Sequence, residues 1–210
     1  AFNSPNTGAE ALAERAVATA LAANLPDDRP HLSFVNRSTQ AAFATLDRVA
    51  SVVSYAGSVT YPNNGFAQAL RTVAGSISKG IGTRVYWVQT GGFDTHSGQG
   101  NAGGGGYATL MQTVGDGILA FYNDLKNAGL LNNTLVLTFS EFGRRITENG
   151  SKGTDHGAAA PLFLAGGGIQ AGLFGKMPSL ATRDLEDGDV KFNVDFRSVY
   201  ATVLEKHLGV

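Results

Sequence analysis

Two short motifs place an aspartate close to a histidine in a glycine-containing segment. GGFDTH contains Asp94 and His96, and GTDHG contains Asp155 and His156. Alternate side chains of an extended backbone project to the same side, so Asp94 and His96 can reach one ion. Carboxylate oxygen and imidazole nitrogen suit zinc, manganese or iron. The four residues are therefore predicted to bind a divalent cation, with calcium kept as a fourth candidate. The alternative is a pair of ordinary turns whose polar groups are satisfied by the protein itself.

A third motif, SEFGRR, adds positive charge. It contains Glu141, Arg144 and Arg145 directly after an apolar run. Adjacent arginines offer forked donors that match phosphate, sulfate or carboxylate, so both are predicted to hold an anionic group. Glu141 is predicted to act as a metal ligand or a general base. The alternative is a surface ion pair between Glu141 and one of the two arginines.

Composition narrows the classes of function. The chain has 210 residues and no cysteine, which excludes disulfides, thiolate metal sites and cysteine nucleophiles. Its 16 basic and 17 acidic residues give a formal charge of −1, which argues against nucleic acid or an acidic membrane surface as a partner. No apolar run approaches the roughly 18 residues that a membrane-spanning helix needs. The two other histidines, His31 and His207, are predicted to be structural.

The residue pattern predicts helices and strands in alternation. Three runs rich in β-branched and apolar residues are predicted strands, at 83–90, 134–139 and 161–165. Five further stretches show apolar residues at helical spacing or are rich in alanine. These predicted helices cover 9–24, 36–56, 66–78, 107–127 and 194–207.

The order of the later elements predicts an α/β fold. Strand, helix, strand, strand, helix is typical of a mostly parallel central sheet flanked by helices. Ligands of such sheets bind beyond the carboxyl ends of the strands, and the three motifs lie at strand ends. The chain is therefore divided into an N-terminal helical segment, residues 1–61, and an α/β core, residues 62–210.

Long stretches of the core resemble a known family. GGFDTHSGQ, FYNDLKNAGLLNNTLVLTFSEFGRRITENGSKGTDHG, GGGIQAGLFGKMPSL and VDFRSVYATVLEKHLG occur in this order. Residues 62–210 resemble the C-terminal half of a bacterial family of unknown function that is grouped with the alkaline phosphatase and sulfatase-like superfamily. The resemblance implies an alkaline-phosphatase-like fold, here as a partial domain, with the N-terminal half of the same protein as a partner. Members are often exported by the twin-arginine route, which implies a periplasmic or secreted protein.

The resemblance also implies roles for single residues. Superfamily enzymes hold one or two divalent metals at the carboxyl ends of the sheet, and a Ser, Thr or formylglycine attacks phosphorus or sulfur. Asp94 and His96 resemble the earlier ligands, and His156 resembles a later one. Glu141 and Phe142 stand where Asp and His normally bind, and Phe142 has no ligand atom. The nucleophile stays open among four hydroxyls, those of Thr95, Ser97, Ser140 and Thr154.

Together these implications predict a metal-dependent hydrolase of phosphate or sulfate esters with a small anionic ester as substrate. Two alternatives stay open. One is a non-catalytic exported binding or assembly module that keeps the motifs as a structural polar or metal site. The other is a metal-dependent hydrolase of an amide or carboxylic ester.

Overall fold

The computed structural model describes residues 8–101 and 103–210. The first seven residues of the predicted helical segment, and residue 102 of the predicted core, lie outside the described residues. Residue contacts divide the chain into two units. The first contains the described residues up to Gly57 together with Arg71–Thr83, and the second contains Ser58–Leu70 and Arg84–Val210. All three sequence motifs belong to the second unit.

Two long helices form most of the first unit. Helix α1 (Ala9–Ala22) packs against helix α2 (Pro30–Val53), and Arg15 and Asp47 form an ion pair between them (2.6 Å). Helix α2 begins at Pro30 rather than near residue 36 as predicted. The first turn of a helix has unpaired N–H groups in any case, so proline is well suited to this position.

The core of the second unit lies between two helices. Helix α3 (Gly65–Ser78) begins in this unit, and helix α4 (Gly106–Asn127) packs against its first turns. A Cβ on Gly117 would lie 2.9 Å from the ring of Phe66, so glycine permits this close approach. Both helices match the predicted ranges. The buried apolar residues of the unit are Tyr61, Ala67, Leu70, Ala120, Phe121, Leu125 and Leu131.

Two small antiparallel sheets complete the second unit. Strand β1 (Leu135–Leu137) pairs with β4 (Leu164–Gly166), and β2 (Gly143–Glu148) pairs with β3 (Thr154–Gly157). Helix α5 (Phe196–Thr202) continues into a π-helical turn, which confirms the predicted last helix. A membrane-spanning helix is not found in the part of the chain that the structure describes.

The mixed α/β class is confirmed, but the predicted parallel sheet is not observed among the described residues. Parallel neighbours need a crossover connection, usually a helix, that carries the chain back to the starting edge. Between β1 and β4 the chain forms the β2–β3 hairpin and no helix, so β4 returns antiparallel to β1. Residues 83–90, predicted as a strand, belong to neither sheet.

Candidate metal centre

The GGFDTH segment packs against the turn of the β2–β3 hairpin. Backbone hydrogen bonds run from Thr154 N to Thr95 O (3.1 Å) and from Gly98 N to Ser151 O (3.0 Å). A Cβ on Gly153 would lie 2.3 Å from the carbonyl carbon of His96, so the close contact requires glycine. The hairpin thereby joins two motifs that are about sixty residues apart in the sequence.

Three side-chain atoms converge where the two segments meet. Asp94 Oδ1 lies 3.0 Å from His96 Nε2 and 2.9 Å from His156 Nε2, and the two nitrogens are 3.1 Å apart. The three side chains are about half exposed, between 47% and 57%. Asp94, His96 and His156, called the triad below, therefore present a nearly equilateral set of ligand atoms to solvent.

The triad is electrostatically incomplete by itself. His96 Nδ1 lies 3.2 Å from Asp155 Oδ1, and a carboxylate accepts the proton of that nitrogen. In neutral His96 this leaves a lone pair on Nε2, which faces the carboxylate oxygen of Asp94 at 3.0 Å. A proton on His156 Nε2 satisfies its own contact with Asp94 but not this one. In this tautomer the guanidinium of Arg144, 2.8 Å from Asp94 Oδ1, is the neighbouring positive charge, and a bound cation or a proton on His96 Nε2 would also offset the repulsion between the two lone pairs.

Asp155 lies beside the triad rather than in it. Its Oδ1 contacts Nδ1 of His96 and accepts a hydrogen bond from Asn149 Nδ2 (3.0 Å). These two interactions, with that of Asn149 the larger, hold the pKa of Asp155 below its ordinary value. The structure therefore brings all four predicted metal ligands together, but it places Asp155 on the far nitrogen of an imidazole. Asn149 was not among the residues selected from the sequence.

Arg144 is the predicted anion-binding residue that reaches the triad. Its side chain is only 14% exposed, and Nη2 lies 2.8 Å from Asp94 Oδ1. The guanidinium also donates to the carbonyl oxygens of Thr154 (2.7 Å) and Phe93 (2.5 Å). The hydrogen bond from His156 and, more weakly, that from Arg144 outweigh desolvation and lower the pKa of Asp94. The carboxylate is therefore ionised over an extended acidic range.

Phe142 has a structural role at the centre that the sequence did not reveal. Its ring stacks on His156 with centroids 3.8 Å apart and an interplanar angle of 7°, and the Arg144 guanidinium lies 4.9 Å from its centroid. Arg144 is also directly opposite His156 in the β2–β3 ladder. The ring plane of His156 is thus set by the residue that precedes β2. The available signal was alternation along an extended chain, which puts Phe142 and Arg144 on one side.

Two predicted catalytic residues lie outside this group of contacts. Glu141 is exposed and makes no hydrogen bond or ion pair with any described residue. Arg145 Nε lies 3.0 Å from Asp189 Oδ1. The alternative prediction, an ion pair between Glu141 and an arginine of the motif, is accordingly not found in the described part of the chain.

The four candidate nucleophiles differ in the hydrogen bonds that their hydroxyl groups make. The hydroxyls of Thr95 and Thr154 both donate to Gln99 Oε1, at 2.8 and 2.7 Å. The hydroxyl of Ser140 donates to the carbonyl oxygen of Phe142 (2.9 Å). Ser97, which follows a triad residue directly, is exposed and makes no hydrogen bond to a described residue. Of the four hydroxyls, that of Ser97 is the least constrained.

Comparison with known proteins gives a family without an assigned activity. No curated protein and no solved structure matches the chain. A family model described as "Protein of unknown function (DUF1501)" matches residues 4–209, which includes the helices that precede the predicted core. The predicted membership in a family of unknown function is therefore confirmed, and the chain belongs to the DUF1501 family.

Proposed function

We propose that this chain is a metal-dependent hydrolase of phosphate or sulfate esters, related to the alkaline phosphatase and sulfatase-like superfamily. The observation that carries the proposal is the convergence of the triad with a guanidinium. Two imidazole nitrogens and one carboxylate oxygen lie within 3.1 Å of one another, and Arg144 Nη2 lies 2.8 Å from that same oxygen. The centre therefore combines ligands for a cation with a donor for an oxyanion.

The residues present fit a first-row divalent metal. Adjacent ligands of an octahedral ion with bonds of about 2.1 Å are about 3.0 Å apart, whereas in a tetrahedron the separation is about 3.4 Å. The triad separations of 2.9–3.1 Å match the octahedral value. Manganese and iron accept such a set of two imidazoles and one carboxylate, and calcium, which takes oxygen ligands, fits it poorly.

The chain's own residues would bind and orient the ester. An ion at the triad would polarise the ester oxygen and lower the pKa of an attacking hydroxyl or water. Arg144 uses three of its five N–H donors on Thr154, Phe93 and Asp94, so its fork is held in place before substrate binds. The Nε–H is buried and has no acceptor among the described residues, so the second Nη1 hydrogen is the donor that remains for an oxyanion. Fixed donors of this kind offset charge that develops in the transition state.

The location, the substrate and the partner are proposed from the resemblance to the alkaline phosphatase and sulfatase-like superfamily. We infer a periplasmic or secreted location and a small anionic ester as substrate, because both follow from the resemblance of residues 62–210. The same resemblance supports the N-terminal half of the family's fold as a partner, which would supply a parallel sheet and a dedicated nucleophile. Within the described chain, Ser97 has the least constrained of the four candidate hydroxyls and is our candidate in its absence.

One observation favours a non-catalytic module instead. Arg144 already neutralises Asp94, and Phe142 already covers one face of His156. A polar network closed in this way can stabilise a hairpin without binding any ligand. In that case the chain would be an exported binding or assembly module.

Metal loading and ester hydrolysis test the proposal together. The full chain is dialysed against metal-free buffer and offered manganese, iron(II) or zinc one at a time, and bound metal is measured by plasma mass spectrometry. Each loaded sample is then tested on 4-nitrophenyl phosphate and 4-nitrophenyl sulfate. About one bound ion with hydrolysis of one ester supports the hydrolase. Bound metal with no hydrolysis of either ester favours the binding module, and no bound metal overturns the metal centre.

A further inference from the structure

His96 is the one triad residue held by polar contacts on both ring nitrogens in the described structure. Nε2 faces Asp94 Oδ1 at 3.0 Å, and Nδ1 faces Asp155 Oδ1 at 3.2 Å. A neutral imidazole has one N–H and one lone pair, so the partner of Nδ1 determines what Nε2 can do. If Asp155 accepts the Nδ1 proton, Nε2 keeps its lone pair for a metal. The position of Asp155 therefore bears on the competence of the whole triad.

Asn149 fixes the carboxylate of Asp155, and its own orientation is unambiguous. Asn149 Oδ1 accepts from the backbone N–H groups of Ser151 (3.0 Å) and Gly153 (3.1 Å). Its Nδ2 donates to Asp155 Oδ1 (3.0 Å) and to the carbonyl oxygen of His96 (2.9 Å). If the amide oxygen and nitrogen were exchanged, the NH₂ group would face two backbone N–H donors. The amide oxygen would then face two oxygens that can only accept. The amide is thus locked by four contacts.

The backbone around Asn149 makes this arrangement rigid. Asn149 N donates to Gly153 O (2.8 Å), and Lys152 N donates to Asn149 O (3.1 Å). Glycine at position 153 permits the close approach of the hairpin turn to the GGFDTH segment, because an added Cβ would lie 2.3 Å from the His96 carbonyl carbon. One side chain thereby connects the hairpin turn, the backbone of His96 and the carboxylate that faces its ring.

We propose that Asp155 and Asn149 are a positioning pair that holds His96 as the Nδ1–H tautomer and aims its Nε2 at the metal, and that Asp155 is not itself a ligand. The inference rests on the proposed metal centre. Histidine ligands commonly donate their second N–H to a carboxylate, and loss of that partner typically weakens metal binding by about 10- to 100-fold. Adjacent residues of a strand project to opposite faces, which is consistent with separate roles for Asp155 and His156.

Three variants of the full chain test the metal side of the inference, with Mn²⁺ as the probe and its free-ion electron paramagnetic resonance signal as the measure of Kd. Asp155→Ala removes the acceptor, and we expect Kd to rise about 10- to 100-fold. Asp155→Asn keeps an oxygen for the Nδ1 proton, and we expect a rise of only a few-fold. Glu148→Gln is the matched control, because it removes one exposed carboxylate from the same hairpin without touching His96. Equal losses in Asp155→Ala and Asp155→Asn would identify Asp155 as a ligand and overturn the inference.

The tautomer gives a readout that needs no metal. Long-range ¹H–¹⁵N spectra of the metal-free chain at about pH 8.5, two units above the ordinary histidine pKa, distinguish the two neutral forms. We expect Nδ1–H for His96 in the parent chain and in Asp155→Asn, and a mixture in Asp155→Ala, with a smaller shift in Asn149→Ala. If the parent chain shows this tautomer but binds no Mn²⁺, the metal proposal fails and the positioning stands. If Mn²⁺ binds equally to the parent chain and Asp155→Ala, the positioning fails and the metal centre stands.

Discussion

Asp124 and Asp94 both accept several hydrogen bonds in the second unit, but in opposite surroundings. Asp124, on α4, is fully buried and accepts from Ser58 N (2.7 Å), Ser58 Oγ (2.9 Å) and the hydroxyl of Tyr61 (2.8 Å). Asp94 is 57% exposed and faces two imidazoles and a guanidinium. The first carboxylate is matched by donors of the chain itself, whereas at the second some of the neighbouring atoms carry lone pairs.

This difference indicates a structural role for Asp124, and it is what the proposed binding role of Asp94 predicts. A buried charge is tolerated only when donors surround it, so the partners of Asp124 are explained by the need to fasten residues 58–61 to α4. Water could satisfy each exposed triad residue separately, so stability does not require the three to meet. If His96 carries its proton on Nδ1, the lone pairs of Asp94 and His96 meet at 3.0 Å, and a bound cation or a proton on His96 Nε2 would offset their repulsion. The guanidinium of Arg144 already offsets part of the charge of Asp94.

Removing either triad imidazole should have the largest effect on binding. His96→Ala and His156→Ala each leave two ligand atoms, and we expect Mn²⁺ affinity to fall more than about 100-fold, with hydrolysis lost in parallel. His31→Ala is the matched control, because His31 is exposed and lies in the first unit. Plasma mass spectrometry after dialysis gives the metal content. Unchanged metal content in both triad variants would mean that Asp94, like Asp124, has only a structural role.

Loss of the buried carboxylate should instead lower stability. Asp124→Ala removes this acceptor from the buried hydroxyl of Tyr61 and from the two donors of Ser58, and we expect the free energy of unfolding to fall by about 3 kcal/mol. For a chain of this length that corresponds to a decrease in Tm of about 10 °C. Asp116→Ala, an exposed change on the same helix, is the control, and its Tm should change by no more than about 2 °C.

The same Asp124→Ala variant checks the independence of the two centres. At a temperature where it is still folded, its Mn²⁺ affinity should equal that of the parent chain, because the hydrogen bonds to Ser58 and Tyr61 that the variant loses do not involve the triad. A loss of affinity as large as that of the histidine variants would show that the two carboxylates belong to one cooperative network.

Replacing the guanidinium by an ammonium should affect hydrolysis more than metal binding. Arg144→Lys keeps the charge but cannot reproduce a fork held on Thr154, Phe93 and Asp94, so we expect kcat/KM for the aryl ester to fall about 10- to 100-fold. Arg145→Lys is the matched control, because Arg145 pairs with Asp189 instead. An equal decrease in both variants would mean that Arg144 has no special place at the site. The measurement is steady-state kinetics with the metal at saturation.

Local patterns in the sequence were sufficient to predict the helices and the triad. The apolar spacing and the glycine at 129 predicted α4, and the TLVLTF run predicted β1, because each signal lies within one element. Asp94, His96 and His156 could be selected because ligand-type residues in glycine-containing turns are unusual in a chain with only four histidines. The residue types were therefore sufficient to select Asp94, His96 and His156, but not to show how their side chains meet.

What the sequence did not predict depends on contacts between distant residues. Strand direction is set by the connection, and the hairpin between β1 and β4 replaced the helix that a parallel pair needs. Asn149 belongs to none of the three motifs, and it becomes important only where the hairpin meets the GGFDTH segment. Phe142 lies in SEFGRR, but its stacking on His156 could not be read from the sequence. Asp155 and His156 are equivalent in a list of ligand types. The fold distinguishes them by the ring nitrogen of His96 that each one contacts.

The smallest expected effect is the change in stability as Asp94 is protonated at acidic pH. It depends on the hydrogen bond from His156, which is the largest cause of the lowered pKa of Asp94. A carboxyl whose pKa is lower in the folded state contributes stability above its unfolded pKa, ordinarily 3.8, and loses it as the pH falls through the lower folded value. His156→Ala should therefore raise the pKa of Asp94, as followed by carbon-13 NMR of the carboxyl.

The unfolding measurements should show the same sign. The stability advantage of the parent chain over His156→Ala should narrow between pH 5 and pH 3, whereas its difference from His31→Ala should stay constant, because His31 has no contact with Asp94. An advantage that widened on acidification would mean that the protonated carboxyl is the form the folded chain prefers. Asp94 would then behave as a buried structural carboxyl does, and its role would no longer differ from that of Asp124.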